Sequence, residues 1–254
     1  MPTAMLREVA STFDRAIVSP AGRRPRVDLA REQHARYARA LAGAGYQVEV
    51  IAADDAHPDC VFIEDTAVII GERAVITNPG ARERRGEVGP VAAALQAVLP
   101  LAQIDAPGTL DGGDVMVMAE TVFVGRSKRT NEAGIGQLGE VARSQGMTVA
   151  VVPVHEVLHL KSAVLPVSDT TVVVTPGTVD ESLLKDLIIV HEAGHERHAF
   201  SALRLSSGDV LVTSSAPDTA KSLEALGITA IAVDVSEIQA ADGGLTCMSI
   251  LIEG

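Results

Sequence analysis

Cys247 stands in Gly243-Gly244-Leu245-Thr246-Cys247-Met248-Ser249-Ile250-Leu251-Ile252, a thiol on a short loop at the mouth of an apolar strand. Two other polar segments lead into apolar strands in the same way, Asp111-Gly112-Gly113-Asp114 and His159-Leu160-Lys161-Ser162. A thiol, an imidazole and a carboxylate are the parts of nucleophilic catalysis: sulfur attacks, the imidazole carries protons and the carboxylate orients the imidazole. A cysteine alone says little, because most thiols in folded chains pack as small hydrophobes. What counts is whether the fold gives these three segments a common position.

The elements that would position them recur along the chain. Val61 to Ile70 begins a series of strand pairs, followed by Gly113–Met118 leading into Thr121–Gly125, Ser162–Val167 into Thr171–Val174, and Leu203–Leu205 into Val210–Val212. Cys247 to Ile252 is the last member, and the spacing is about 40–50 residues throughout, which indicates repeated units. Segments rich in Ala, Leu, Glu, Gln and Arg lie between them and predict helices over Asp28 to Ala42, Val88 to Val98, Thr130 to Gln145 and Asp218 to Leu226. Asp28, Thr130 and Asp218 are helix-starting residues, and Gly43 and Gly146 are helix stops. The unit reads strand, strand, helix, strand, repeated about five times in a single domain over residues 1–254, with no Gly/Ser-rich or Pro-rich linker dividing it. In a ring of such units, polar residues just before apolar strands converge on a shared axial cavity, which predicts that Asp59, Asp65, Asp111, His159 and Cys247 meet.

Composition narrows the function classes. With 47% hydrophobic and 21% charged residues in 254, the chain folds around a sizeable core. Acidic residues outnumber basic ones 33 to 21, a net charge of −12, which disfavours a phosphate backbone as partner, and 2% aromatics without Trp removes the stacking platforms for nucleic acid. The basic cluster Arg82, Arg84, Arg85 reads either as a solvated loop or as an anion site. No run reaches the roughly 20 apolar residues of a membrane span, and Met1 to Val18 lacks the apolar stretch of a signal peptide or anchor. Two cysteines far apart fit a reducing compartment, so a cytoplasmic location is expected, and Cys60 is expected to pack in a strand.

Three short motifs point elsewhere. His155-Glu156-Val157-Leu158-His159 and His191-Glu192-Ala193-Gly194-His195 match H-E-x-x-H, which binds zinc only when a helix sets both histidines on one face. The first follows a β-branched run broken by Pro153 and the second follows Leu187-Ile188-Ile189-Val190, so both read as strand leading into loop. Gly134-Ile135-Gly136-Gln137-Leu138-Gly139 matches G-x-G-x-x-G but lies inside a predicted helix, whereas a dinucleotide turn sits between strand and helix. No metal or cofactor is expected.

Taken in order, Asp59-Cys60-Val61-Phe62-Ile63-Glu64-Asp65, Asn78-Pro79-Gly80-Ala81, Leu110-Asp111-Gly112-Gly113-Asp114-Val115, Gly125-Arg126-Ser127-Lys128-Arg129-Thr130-Asn131, His159-Leu160-Lys161-Ser162 and Leu245-Thr246-Cys247 resemble the dimethylarginine dimethylaminohydrolases. These are guanidino-group-modifying enzymes with the five-bladed α/β-propeller, or pentein, fold, and the resemblance runs from about Val27 to Ile252. It implies hydrolysis of N-methylated arginine (asymmetric dimethylarginine or monomethylarginine) to citrulline and an amine through a covalent thiouronium on Cys247. His159 would be the proton carrier and Asp111 its support. It further implies that Asp65 and Asp59 bind the guanidinium, that Glu64 and Phe62 complete the wall, and that Arg84 and Arg129 bind the amino-acid carboxylate. The partner implied is a small methylated arginine, with no cofactor; oligomeric state is not legible, a homodimer being one option.

The competing readings are an arginine deiminase, whose relatives are longer, an amidinotransferase, a non-catalytic ribosome-binding pentein that would not need Cys247, His159 and Asp111 together, and a zinc peptidase. Two segments carry no recognisable family feature: Ser19 to Arg26, shorter than the lid loop of the animal enzymes, and the His-rich stretch from His191 to Ser201.

Overall fold

The structure is a computed structural model of the 254-residue chain and describes residues 1–19, 23–191, 196 and 201–253. Its contacts gather into two units, Met1–Ile63 with Ala193–Gly254, and Glu64–Glu192. Residues 192–195 of the motif that begins at His191, and residues 197–200 of the stretch to Ser201, lie outside the described residues, as do residues 20–22 of the segment Ser19 to Arg26.

The unit Glu64–Glu192 contains three three-stranded sheets. Each is a short antiparallel hairpin whose second strand pairs in parallel with a third: Ala67–Ile70, Arg73–Ile76 and Leu101–Gln103; then Val115–Met118, Thr121–Arg126 and Thr148–Pro153; then Val164–Pro166, Thr171–Val174 and Ile188–His191. A parallel return needs a crossover. Helices Val88–Gln96 and Glu132–Ser144 supply two of these, and the 3₁₀ turn Glu181–Leu184 the third. Inward residues of strand and helix make two cores, one around Ile70, Val75, Leu110, Val124 and Leu138, the other around Phe123, Val152, Leu160, Val172 and Leu184.

The other unit repeats the pattern twice. Ala202–Arg204, Val210–Thr213 and Ala230–Val233 form one sheet with helix Pro217–Ala225 as crossover. In the second, Ser249–Ile252 runs antiparallel to Thr3–Arg7, which pairs in parallel with Gln47–Ile51 across helix Val27–Gly43. This hairpin is split between the two ends of the chain, so the strand at Cys247 finds its partner some 240 residues away in sequence, a pairing no local pattern reveals. Five sheets among the described residues thus match the five expected repeats.

The four predicted helices are present within a few residues, and Gly146, at φ 74, is the left-handed stop of the third. Thr130 does not cap that helix. Asn131 does so, accepting from the Gly134 N–H, which leaves the Thr130 hydroxyl for the site. The short helix Ser236–Ala240 is additional.

The strand expected from Val61 begins later, at Ala67. Before it, Cys60 and Phe62 donate backbone N–H groups to His57 and Asp59, and Ile63–Thr66 is a 3₁₀ turn. A strand would alternate its side chains between two faces, whereas this turn buries Val61, Phe62, Ile63, Glu64 and Asp65 in succession. Cys60 is accordingly buried in a turn, not in a strand.

Three other hairpins also open on a 3₁₀ turn: Gly112–Asp114, Leu160–Ser162 and Thr246–Met248. Glu64, Asp65, Asp111, His159 and Cys247 all lie in these turns or at the residue that begins one. Four repeats therefore present chemistry from one equivalent position.

The turn at Cys247 is held from below by Tyr37, a fully buried residue of helix Val27–Gly43. Its hydroxyl donates to the Leu245 carbonyl at 2.9 Å and lies 2.7 Å from Ser249 Oγ. Replacing Tyr37 by Phe strands those buried groups, and urea denaturation is expected to show a loss of about 1–3 kcal/mol; an unchanged midpoint contradicts this tether.

Candidate active site

Within the unit Glu64–Glu192, Asp111 and His159 are each the residue before a 3₁₀ turn, with extended backbone at φ −103 and φ −137. Their side chains meet, His159 Nε2 lying 3.1 Å from Asp111 Oδ2. Asp111 is fully buried, accepts the Gly80 N–H at 2.8 Å and has Arg129 Nη1 at 3.6 Å. The imidazole can lie this close only because residue 113 is glycine. A Cβ there would fall 2.5 Å from His159 Nδ1, inside any tolerable contact.

Asp65 closes the cluster from the turn Ile63–Thr66. Its Oδ1 accepts the Gly113 N–H at 2.9 Å and its Oδ2 accepts Arg84 Nη1 at 2.6 Å. Arg84 is buried and directs Nε and Nη2 to Glu87 at 3.1 and 2.8 Å. Its guanidinium is therefore engaged by two carboxylates, a placement that sets it behind Asp65.

These contacts decide the charge on the imidazole. Burial alone would lower the pKa of His159, but the Asp65 charge, the Asp111 hydrogen bond and the Asp114 charge outweigh it and raise the group from 6.5 to about 9. Burial likewise pushes Asp65 up, and the charges of His159 and Arg84, with the Gly113 N–H, hold it at about 2. The site thus favours an imidazolium beside the Asp65 carboxylate. Nε2 is turned to Asp111, and Nδ1 lies over the Gly113 backbone.

Glu64 is buried and pairs with Lys161 Nζ at 2.6 Å. Lys161, Asp114 and Glu87 take part in the site's polar network although the sequence reading singled out none of them. Lys161 and Asp114 stood inside quoted motifs, the one signal that could have found them, while Glu87 is recognisable only by its ion pair with Arg84.

The unit containing the two chain ends holds Cys247, Asp59 and Phe62. Cys247 is partly exposed on its 3₁₀ turn, and the Gly244 N–H points at its sulfur at 3.3 Å. A thiolate accepts such a donor better than a thiol does. Phe62 packs edge-on against Phe13, and its ring lies where a Cβ on Gly243 would be, 2.3 Å away. That glycine lets the loop carrying Cys247 lie directly on Phe62. Asp59 is buried and accepts the Ile17 N–H at 3.1 Å. The segment Ser19 to Arg26 is tied in the same unit: Arg23 and Arg26 both pair with the buried Glu237.

Asp65, Asp111 and His159 bring ligand-capable atoms within 4.8 Å of one another. In this arrangement Arg84 donates to Asp65 and His159 Nε2 lies on Asp111, so a metal ion held by all three would have to displace the imidazole from Asp111. The first H-E-x-x-H match is not helical: His155 follows strand Thr148–Pro153, Glu156 has φ 63, and His159 begins a 3₁₀ turn, so the two histidines share no helix face. His191, at the end of strand Ile188–His191, pairs with Glu181. Gly134 to Gly139 lies within helix Glu132–Ser144.

Residues 21–252 match the family model of eukaryotic N,N dimethylarginine dimethylhydrolase. The chain is 41% identical to an N(G),N(G)-dimethylarginine dimethylaminohydrolase of Streptomyces coelicolor, over 89% of this chain and 88% of that one. It is 31% identical to the enzyme of the same name from Pseudomonas aeruginosa, over 89% and 90% of the two chains. A solved structure of the Pseudomonas aeruginosa enzyme, a cysteine-to-serine mutant complexed with citrulline, is similar to it with a TM-score of 0.94 at 29% identity, covering 98% of each chain. Five three-stranded sheets and this likeness give the fold class as the five-bladed α/β propeller. The chain belongs to the dimethylarginine dimethylaminohydrolase family, hydrolases of carbon–nitrogen bonds.

Proposed function

We propose that this protein hydrolyses N-methylated arginine, asymmetric dimethylarginine or monomethylarginine, to citrulline and dimethylamine or methylamine. The observation that carries the reading is the buried imidazole of His159 set 3.1 Å from Asp111 with Asp65 in the same cluster, carboxylates that favour its protonated, proton-donating form. The family membership, and citrulline in the related structure, favour a guanidine as the group it serves.

The chemistry follows from the groups. A guanidinium carbon is a poor electrophile and an amine is a poor leaving group unless protonated, so the reaction needs a thiolate and an acid. Cys247 Sγ attacks the central guanidinium carbon to give a tetrahedral adduct. The bond to the methylated nitrogen breaks as His159 supplies its proton, releasing the amine and leaving a thiouronium on Cys247. His159, now neutral, takes a proton from water, whose oxygen attacks the same carbon. The carbon–sulfur bond then breaks and the remaining hydroxyl proton passes to solvent, returning the thiolate and leaving the neutral ureido group of citrulline. Asp111 holds the imidazole in orientation through both steps.

For substrate recognition, Asp59, Asp65, Glu64 and Phe62 remain our proposed guanidinium wall. Asp65 also sustains the charge on His159, and the Glu64 carboxylate is shared with Lys161. Of the two arginines proposed for the substrate carboxylate, Arg129 is the more accessible, and Arg84 acts chiefly by fixing Asp65. No helix among the described residues is long and apolar enough to cross a membrane. We place the enzyme in the cytoplasm on the further ground that both cysteines are thiols in the fold.

Incubation with asymmetric dimethylarginine, monomethylarginine and arginine in separate reactions should release citrulline from the methylated substrates in preference. Greater turnover of arginine would overturn the substrate assignment while leaving the thiol chemistry in place. Cys247→Ser should abolish turnover in the same assay, and retained activity removes Cys247 as nucleophile. Arg129→Ala should raise KM about tenfold or more, the loss of one charge-assisted contact, with kcat changed much less; an unchanged KM speaks against carboxylate binding by Arg129.

A further inference from the structure

Asp114 is fully buried 3 residues beyond Asp111, and the reaction just described leaves it without a task. Its contacts are unusually directed. Oδ1 accepts the backbone N–H of Leu160, the residue after His159, at 2.9 Å. Oδ2 accepts the hydroxyls of Ser127 at 2.6 Å and Thr130 at 2.7 Å. Thr130 Oγ1 in turn accepts the backbone N–H of Asp111 at 3.1 Å, and Ser127 Oγ accepts the N–H groups of Arg129 and Thr130. One carboxylate therefore connects the turn that carries the imidazole, the turn that carries its partner carboxylate, and the loop that carries Arg129.

The surrounding backbone is shaped for this contact. A Cβ at Gly125 would lie 2.5 Å from Asp114 Oδ1 and 2.9 Å from Leu160 Cβ, so strand Thr121–Arg126 admits only glycine beside the pair. A buried carboxylate that only satisfied stray donors would not require its neighbour to surrender a side chain.

We propose that Asp114 is a positioning residue for the hydrolysis: it fixes His159 and Asp111 relative to each other by holding Leu160 directly and Asp111 through Thr130. This rests on the function proposed above. Its charge has a second effect, because Asp65, Asp111 and Asp114 are the carboxylates that act on His159, against the opposing charges of Arg84 and Arg129 nearby. Asp65 and Asp111 would remain if Asp114 were neutral, so the imidazole would lose part of its support and not all of it.

Two variants of the full chain separate tether from charge. Asp114→Asn keeps the shape and the acceptor for Leu160 but removes the charge together with the acceptor for the Ser127 and Thr130 hydroxyls. It should lower the His159 pKa read by NMR, move the alkaline limb of the kcat profile by the same interval, and reduce kcat about tenfold or more, part of what a positioned acid supplies, with KM within twofold. Thr130→Val removes the link to Asp111 while leaving the charge. It should reduce kcat with the His159 pKa close to wild type, and it serves as the test should Asp114→Asn fail to fold. Folded variants with wild-type kcat and an unmoved His159 pKa overturn the proposal. Should the wild-type protein release no citrulline from methylated arginine, the function reading fails by itself. The pKa shift in Asp114→Asn then still decides the electrostatic contact, and a displaced but retained Asp111–His159 hydrogen-bond signal in Thr130→Val decides the tether.

Discussion

An imidazole removed from water loses its proton readily, because burial penalises the charged form. In this protein the opposite holds, and most of the site's construction follows from it. His159 is 7% exposed yet raised to about 9, since Asp65, Asp111 and Asp114 outweigh the loss of solvent. The same raised pKa is a stability term. The imidazolium's favourable interactions are fully present below the ordinary 6.5 and are lost as pH rises through about 9. Acid and fold are thus stabilised by the same charges.

Carboxylates packed this closely would repel one another and take up protons without cations among them. Arg84 keeps Asp65 ionised, and Glu87 keeps Arg84 in place. Glycines provide the distances. Gly113 lets the imidazole lie over its backbone, Gly112 would strike the Glu64 carbonyl at 2.0 Å if it had a Cβ, and Gly243 admits the ring of Phe62. The repeat supplies the rest, since a 3₁₀ turn before a hairpin buries polar groups at a point where the ladder has not yet begun, and four such turns carry the acids, the imidazole and the thiol.

The strand pairs, the four crossover helices and the repeat were legible because β-branched runs and helical composition alternate at a regular interval. The site turns were not. Val61 to Thr66 has strand composition, and only tertiary burial makes it a turn. Thr130 reads as a helix cap, yet its hydroxyl serves Asp114 and Asp111 while Asn131 caps the helix. Pairing of Thr3–Arg7 with Ser249–Ile252 joins the chain's two ends, beyond the reach of any window. Arg84 carries a finer point: the family resemblance implies a contact with the substrate carboxylate, and the fold also sets its guanidinium against Asp65 and Glu87, partners that no motif discloses.

The most direct measurement of the central claim is the titration of His159 in the wild-type protein by ¹⁵N NMR, assigned by comparison with His159→Gln. The carboxylate cage requires a pKa near 9, with the imidazolium persisting through neutral pH. A value at or below the 6.5 of an ordinary histidine would mean that burial dominates and that His159 is no standing proton donor.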